Sequence, residues 1–216
     1  MEQAENAEQA KRTFSTLGWC YLAGTILLNV LEIVLSGVVG KLHPEWLQDT
    51  DLRLVLSSVM VYGFTLPFIF LLVRGLPTTV PERKPIRFRD FLVFFLMGYA
   101  MLFVSNILGN IATILIGAAK GSQVDNRLLE YVTSGSAWTM LVLMVVIAPI
   151  MEELVFRKLL VDRALKYGPG LAVVLSGLVF GLFHGNLNQF AYAVVLGAFF
   201  AFIYIKTGDI RITIGL

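Results

Sequence analysis

Glu152 and Glu153 stand side by side in the apolar run Ala148-Pro149-Ile150-Met151-Glu152-Glu153-Leu154-Val155-Phe156, followed at once by Arg157. His184 closes the next apolar run, Phe180-Gly181-Leu182-Phe183-His184. On insertion scales a charge at the centre of a bilayer costs roughly 2.5–3.5 kcal/mol, so an ionisable residue in a membrane segment usually marks function. A carboxylate in an apolar cavity gains basicity by desolvation, and an imidazole can hold and polarise a water molecule. Together they suit attack of an activated water on a peptide carbonyl.

The spacing supports one shared site. Tyr167-Gly168-Pro169-Gly170 is a turn signal between the two runs, pairing glycine freedom with a proline that ends a helix. Glu152 precedes Gly168 by 16 residues and His184 follows it by 16. In an antiparallel helical hairpin both would lie about 24 Å from the turn, at ~1.5 Å per residue. Glu153 and Arg157 are spaced to share a helical face, and Glu152 points about 100° away. One carboxylate can then be neutralised by Arg157 while the other faces the His184 helix. Each feature also has a plainer reading. A Glu–Arg pair is equally a structural ion pair, a lone membrane histidine is equally a hydrogen-bonding residue, and Phe180 alone is ordinary membrane filler. His43, beside Pro44, reads as an interfacial residue.

Elements that could carry such a site must cross a membrane. The 216 residues are 57% hydrophobic and 15% charged, with mean hydropathy +0.77, outside the soluble globular range. At about 20 residues per crossing, six apolar stretches stand out: 17–39, 52–73, 91–118, 137–156, 171–185 and 189–205. A seventh begins at Ile212. The expected fold class is an all-α, polytopic transmembrane bundle of six helices plus the start of a seventh. Ser105, Asn106, Gly109 and Asn110 in the third stretch, and Asn29 and Glu32 in the first, read as helix-packing residues. The acidic stretch Met1 to Gln9 is no signal peptide, so the first helix is expected to be retained.

Basic residues orient the bundle. Lys11 and Arg12, then Arg74 to Arg89, Arg157 to Lys166, and Lys206 with Arg211 account for thirteen of the 17 Lys and Arg. The other four, Lys41, Arg53, Lys120 and Arg127, fall in the alternate connections. This places the amino terminus and the proline-rich loop 74–90 in the cytoplasm, in a multi-pass protein of the cell membrane. Residues 157–166 are expected to project into the cytoplasm too. Because the basic residues lie between apolar runs, no nucleic-acid surface is expected. A single cysteine, Cys20, excludes an internal disulfide. The chain shows no internal repeat or low-complexity tract.

Glu152-Glu153-x-x-x-Arg157 followed by Phe180-x-x-x-His184 resembles the CAAX protease and bacteriocin-processing (CPBP, or Abi) family of intramembrane endopeptidases. The resemblance covers approximately residues 140–216, and Thr207-Gly208-Asp209-Ile210 is similar to the stretch before the family's last motif. It implies a catalytic core at 137–216 preceded by three further helices at 1–136. It also implies roles: Glu152 activates water, Glu153 and Arg157 support the site, and His184 orients the water or binds metal. The substrate implied is a peptide or protein in the bilayer, prenylated in the CAAX-type branch. Two cofactor readings follow, Zn(2+) held by Glu152 and His184 or no metal, since one His and two Glu fall short of an ordinary zinc set. The family adds His-x-x-x-Asn on a following helix, and this chain ends at Ile214-Gly215-Leu216, about where that motif should start. A truncated catalytic core is therefore expected.

Other intramembrane proteases fit less well. There is no His-Glu-x-x-His helix and no two-aspartate arrangement, and Ser136 of Gly135-Ser136 reads as a helix cap rather than a nucleophile. Two other classes remain open beside an endopeptidase. One is a non-enzymatic bacteriocin-immunity or peptide-sensing membrane protein, and the other a small transporter coupling protons through Glu152.

Overall fold

The computed structural model describes residues 2–122 and 127–216; Met1, the first residue of the acidic start, lies outside them. The chain is a helical membrane bundle, with no strand among the described residues. Its helices are α1 (Glu2–Leu42), α2 (Thr50–Val73), α3 (Phe88–Lys120), α4 (Arg127–Ser134), α5 (Ala137–Tyr167), α6 (Pro169–Phe183), α7 (Leu187–Thr207) and α8 (Ile210–Gly215). Among the described residues α1, α2, α3, α5 and α7 are long and apolar enough to cross a membrane. The expected fifth stretch forms α6, an apolar helix of 15 residues, shorter than a standard crossing. Large apolar side chains such as Ile33, Ile114 and Trp138 stay exposed, as befits surfaces solvated by lipid tails.

The contacts divide the chain into two compact units, Met1–Leu76 with Arg127–Val155 and Pro77–Asn126 with Phe156–Leu216. The division falls within α5, between Val155 and Phe156.

In the first unit α1 packs on α2, and α2 meets α4 and the start of α5. Gly24 permits the first contact: a Cβ there would sit 2.5 Å from the Ile69 side chain. Two wide π-type turns, Val59–Thr65 and Leu141–Ile147, precede Pro67 and Pro149. Each proline lacks an N–H and its ring crowds the carbonyl four residues back, which opens the turn before it. A third π-type turn, Leu154–Val161, has no proline. The Tyr21 hydroxyl donates to the Val155 carbonyl there at 2.8 Å, a side-chain donor inserted where the ladder widens. Ser136 is the N-cap of α5, its hydroxyl accepting the Thr139 N–H, as its position suggested. His43 stacks on Trp46 with ring centroids 4.5 Å apart.

In the second unit α7 packs against both α3 and α6. Gly98, Ser105, Gly109, Thr113 and Gly117 form the buried stripe of α3. A Cβ on Gly109 would lie 3.0 Å from Ala191 Cβ, so backbones approach as small residues in membranes allow. Between α6 and α7 the same device recurs, with a Cβ on Gly177 falling 2.7 Å from the Val194 carbonyl. The segment after Phe156 continues α5. It stays helical to Tyr167, and Arg157, Asp162 and Arg163 are buried. Lys158 and Tyr204 meet Asp162 within this unit, so the helix need not end where the charges begin.

The proline-rich loop is tied to this unit. Thr79 N–H donates to the Asp162 carbonyl (2.6 Å), Lys84 N–H to the Thr207 carbonyl (2.7 Å), and Arg83 pairs with Asp209 (2.9 Å). Gly208, at φ 63°, ends α7 directly beneath it, and a Cβ there would run into the Glu82 carbonyl and sit 2.7 Å from Arg83 Cα. Asp209 then caps α8.

Candidate active site

The sequence-expected residues fall in both units. Glu152 and Glu153 belong to the first, on the short α-type stretch Ala148–Glu153 that follows the proline-widened turn of α5. Glu153 is buried and Glu152 half-buried. The Tyr62 phenol of α2 lies within electrostatic reach of the Glu152 carboxylate. Sequence reasoning missed this tyrosine. Its one signal is a phenol in an otherwise apolar stretch, 90 residues away along the chain.

Arg157 and His184 belong to the second unit, where Phe180 brings them together. The Arg157 guanidinium lies over the Phe180 ring, 5.6 Å from its centroid, and over Phe200 at 5.9 Å. Phe180 meets the His184 ring edge-on at 4.7 Å. Phe156 packs edge-on against Phe180 and Phe183, closing an aromatic box around these groups. Arg157 is fully buried and donates to the Ser176 hydroxyl at 2.6 Å. Phe180, ordinary filler when read alone, is thus the platform between a buried cation and an imidazole.

The histidine's hydrogen bond decides its chemistry. His184 Nδ1 lies 2.8 Å from the Phe180 carbonyl, which can only accept, so Nδ1 carries the proton. The neutral ring then presents Nε2 as an acceptor or metal ligand. The i to i+4 spacing of Phe180-x-x-x-His184 sets both the bond and the ring contact, because the two residues stack on one face of the last turn of α6.

Beside Arg157 the second unit holds a closed polar cluster. Tyr204 hydroxyl donates to Asp162 (2.7 Å), Lys158 Nζ donates to Tyr204 (2.6 Å), and Lys158 pairs with Asp162 (3.0 Å). Arg163 turns back onto its own helix, donating to the Leu159 carbonyl at 3.0 Å. These residues hold the helix that carries Arg157.

Among the described residues no group of three or more His, Cys, Asp or Glu could hold a metal ion.

The fold and these residues define a polytopic helical membrane protein that carries buried ionisable groups within its apolar helices. Residues 134–216 match the family model "Type II CAAX prenyl endopeptidase Rce1-like", a span that contains both motifs. The chain is also similar to "Putative membrane peptidase YdiL" of Bacillus subtilis (strain 168), with 23% identity over 203 residues covering 91% of this chain and 82% of that protein. No solved structure matches. The resemblance carried by the two motifs is recovered over the carboxyl-terminal part of the chain.

Proposed function

We propose that this protein is an intramembrane endopeptidase that hydrolyses a peptide bond of a bilayer-embedded peptide or protein, a CAAX-type carboxyl terminus being the favoured substrate. The observation that carries this reading is the family match over residues 134–216, which contain Glu152, Glu153, Arg157 and His184.

In the proposed reaction Glu152 accepts a proton from water as the water oxygen bonds to the scissile carbonyl carbon. The tetrahedral adduct collapses with cleavage of the C–N bond, and the proton passes from Glu152 to the departing amine. The motif resemblance gives His184 the role of orienting the water, and its Nε2 is the ring atom left to accept when Nδ1 donates to Phe180. Glu153 and Arg157 keep the helix and its electrostatics in place. Zinc on Glu152 and His184 would have two protein donors where a catalytic site ordinarily has three, and the carboxylate mechanism runs without it.

The test is peptide cleavage by purified protein in lipid, comparing the wild type with Glu152→Gln. A general base typically contributes ~10²–10⁴-fold, so cleavage should fall by that factor while thermal stability stays close to wild type. Equal cleavage by both proteins would move the base elsewhere and overturn the reading.

The proposal includes an orientation, with the amino terminus and the 74–90 loop in the cytoplasm, supported by the distribution of Lys and Arg. In a Cys20→Ser background, Arg83→Cys should resist an impermeant thiol reagent added outside intact cells. Labelling from outside would reverse the orientation.

A further inference from the structure

A second polar site lies wholly in the first unit. Asn29, Glu32 and Ser36 recur at intervals of three and four residues, one stripe of α1. Arg53 and Ser57 do the same on α2, and together with Tyr131 of α4 these residues line a cavity of about 530 Å³ with leucine side chains completing its wall. That volume is within the range of small-ligand sites. In a membrane helix a stripe of this polarity is costly unless something polar faces it.

The cavity's charges are unevenly satisfied. Arg53 is committed to Glu130 at 2.6 Å and lies over the Tyr131 ring. Glu32 receives the Ser57 hydroxyl at 3.1 Å, a neutral donor, and among the described residues it has no ion-pair partner. Asn29 donates one amide N–H to the Thr25 carbonyl, and its side-chain oxygen is available as an acceptor. With Arg53 paired to Glu130, what the cavity offers is the Glu32 carboxylate, beside an amide oxygen and hydroxyl oxygens able to accept. The complement is a cation that only donates, and a primary ammonium with three N–H groups is the smallest such group.

We propose that this cavity binds a primary ammonium group, with Glu32 as counter-ion and the Asn29 amide oxygen and serine hydroxyls as acceptors. The ammonium can belong to an aminophospholipid headgroup or to a soluble amine, including the amino end of a peptide. The site goes beyond the peptidase reading and stands on residues of the first unit alone.

The test follows thermal unfolding of the intact protein by tryptophan fluorescence, with no cleavage assay. In phosphatidylcholine nanodiscs, ethanolammonium is titrated against choline, which has the same charge but no N–H. In a second arm phosphatidylethanolamine nanodiscs replace phosphatidylcholine. Stabilisation by ethanolammonium over choline identifies a soluble amine, and stabilisation by phosphatidylethanolamine alone identifies a lipid headgroup; either supports the site. Glu32→Gln should weaken the apparent affinity by about tenfold or more, the loss expected for a charge-assisted hydrogen bond. Ser36→Phe, which fills the cavity, should abolish the shift and keeps the test decisive if Glu32→Gln folds poorly. Equal response to ammonium and trimethylammonium probes in both arms, or a full response in both variants, would overturn the proposal.

Discussion

The two units place polar side chains among apolar helices and satisfy them in opposite ways. In the second unit Lys158, Asp162 and Tyr204 close on one another and Arg157 donates to Ser176, at distances between 2.6 and 3.0 Å. In the first unit Glu32, Asn29 and Ser36 face an open cavity, with a single neutral donor on the carboxylate. A closed cluster has spent its hydrogen-bonding capacity on the fold, whereas an open one retains capacity for something else. Substitution should therefore cost stability in the second unit and binding in the first.

Arg157→Ala gives the largest effect on stability. It removes a fully buried side chain, leaves the Ser176 hydroxyl without its donor and strips the Phe180 and Phe200 faces of their cation. The expected loss is roughly 2–5 kcal/mol, the range for large-to-small changes in packed interiors. Unfolding of the purified variant in mild detergent measures it, and a loss below that range would mean that the buried guanidinium does not anchor this unit. Tyr204→Phe should cost less, about 1–3 kcal/mol, by leaving Asp162 and Lys158 each short of one hydrogen bond. The same unfolding measurement decides whether the tyrosine is a keystone or a bystander. Arg53→Ala should cost least, under about 1 kcal/mol, because its pair with Glu130 is partly exposed. A larger loss would mean that the wall of the open cavity also bears stability, and the contrast between the units would fail.

Local rules made much of the architecture legible. Hydropathy located α1, α2, α3 and α7, Gly168-Pro169 located the α5–α6 turn, and Ser136 announced a cap. The Phe180–His184 relation was readable because four residues of helix fix it. The burial of Arg157, Asp162 and Arg163 was not, because it involves Tyr204, 42 residues beyond the Asp162 it holds. Tyr62 near Glu152 and Ser57 on Glu32 escaped for the same reason. Periodicity reports which residues share a face, but not which distant side chain that face will meet. Asn29 and Glu32 were expected as packing residues, and only the shape of the space beside them shows an open wall.

The widened turn at Leu141–Ile147 also acts as an aiming device. A helix is a screw, so a turn that takes in an extra residue advances the phase of everything after it, by about 100° per residue on an α-helical pitch. The bearing of Glu152 and Glu153 is therefore written upstream, among aliphatic residues that carry no chemistry. Deleting one residue from that turn would re-aim both carboxylates without altering either of them.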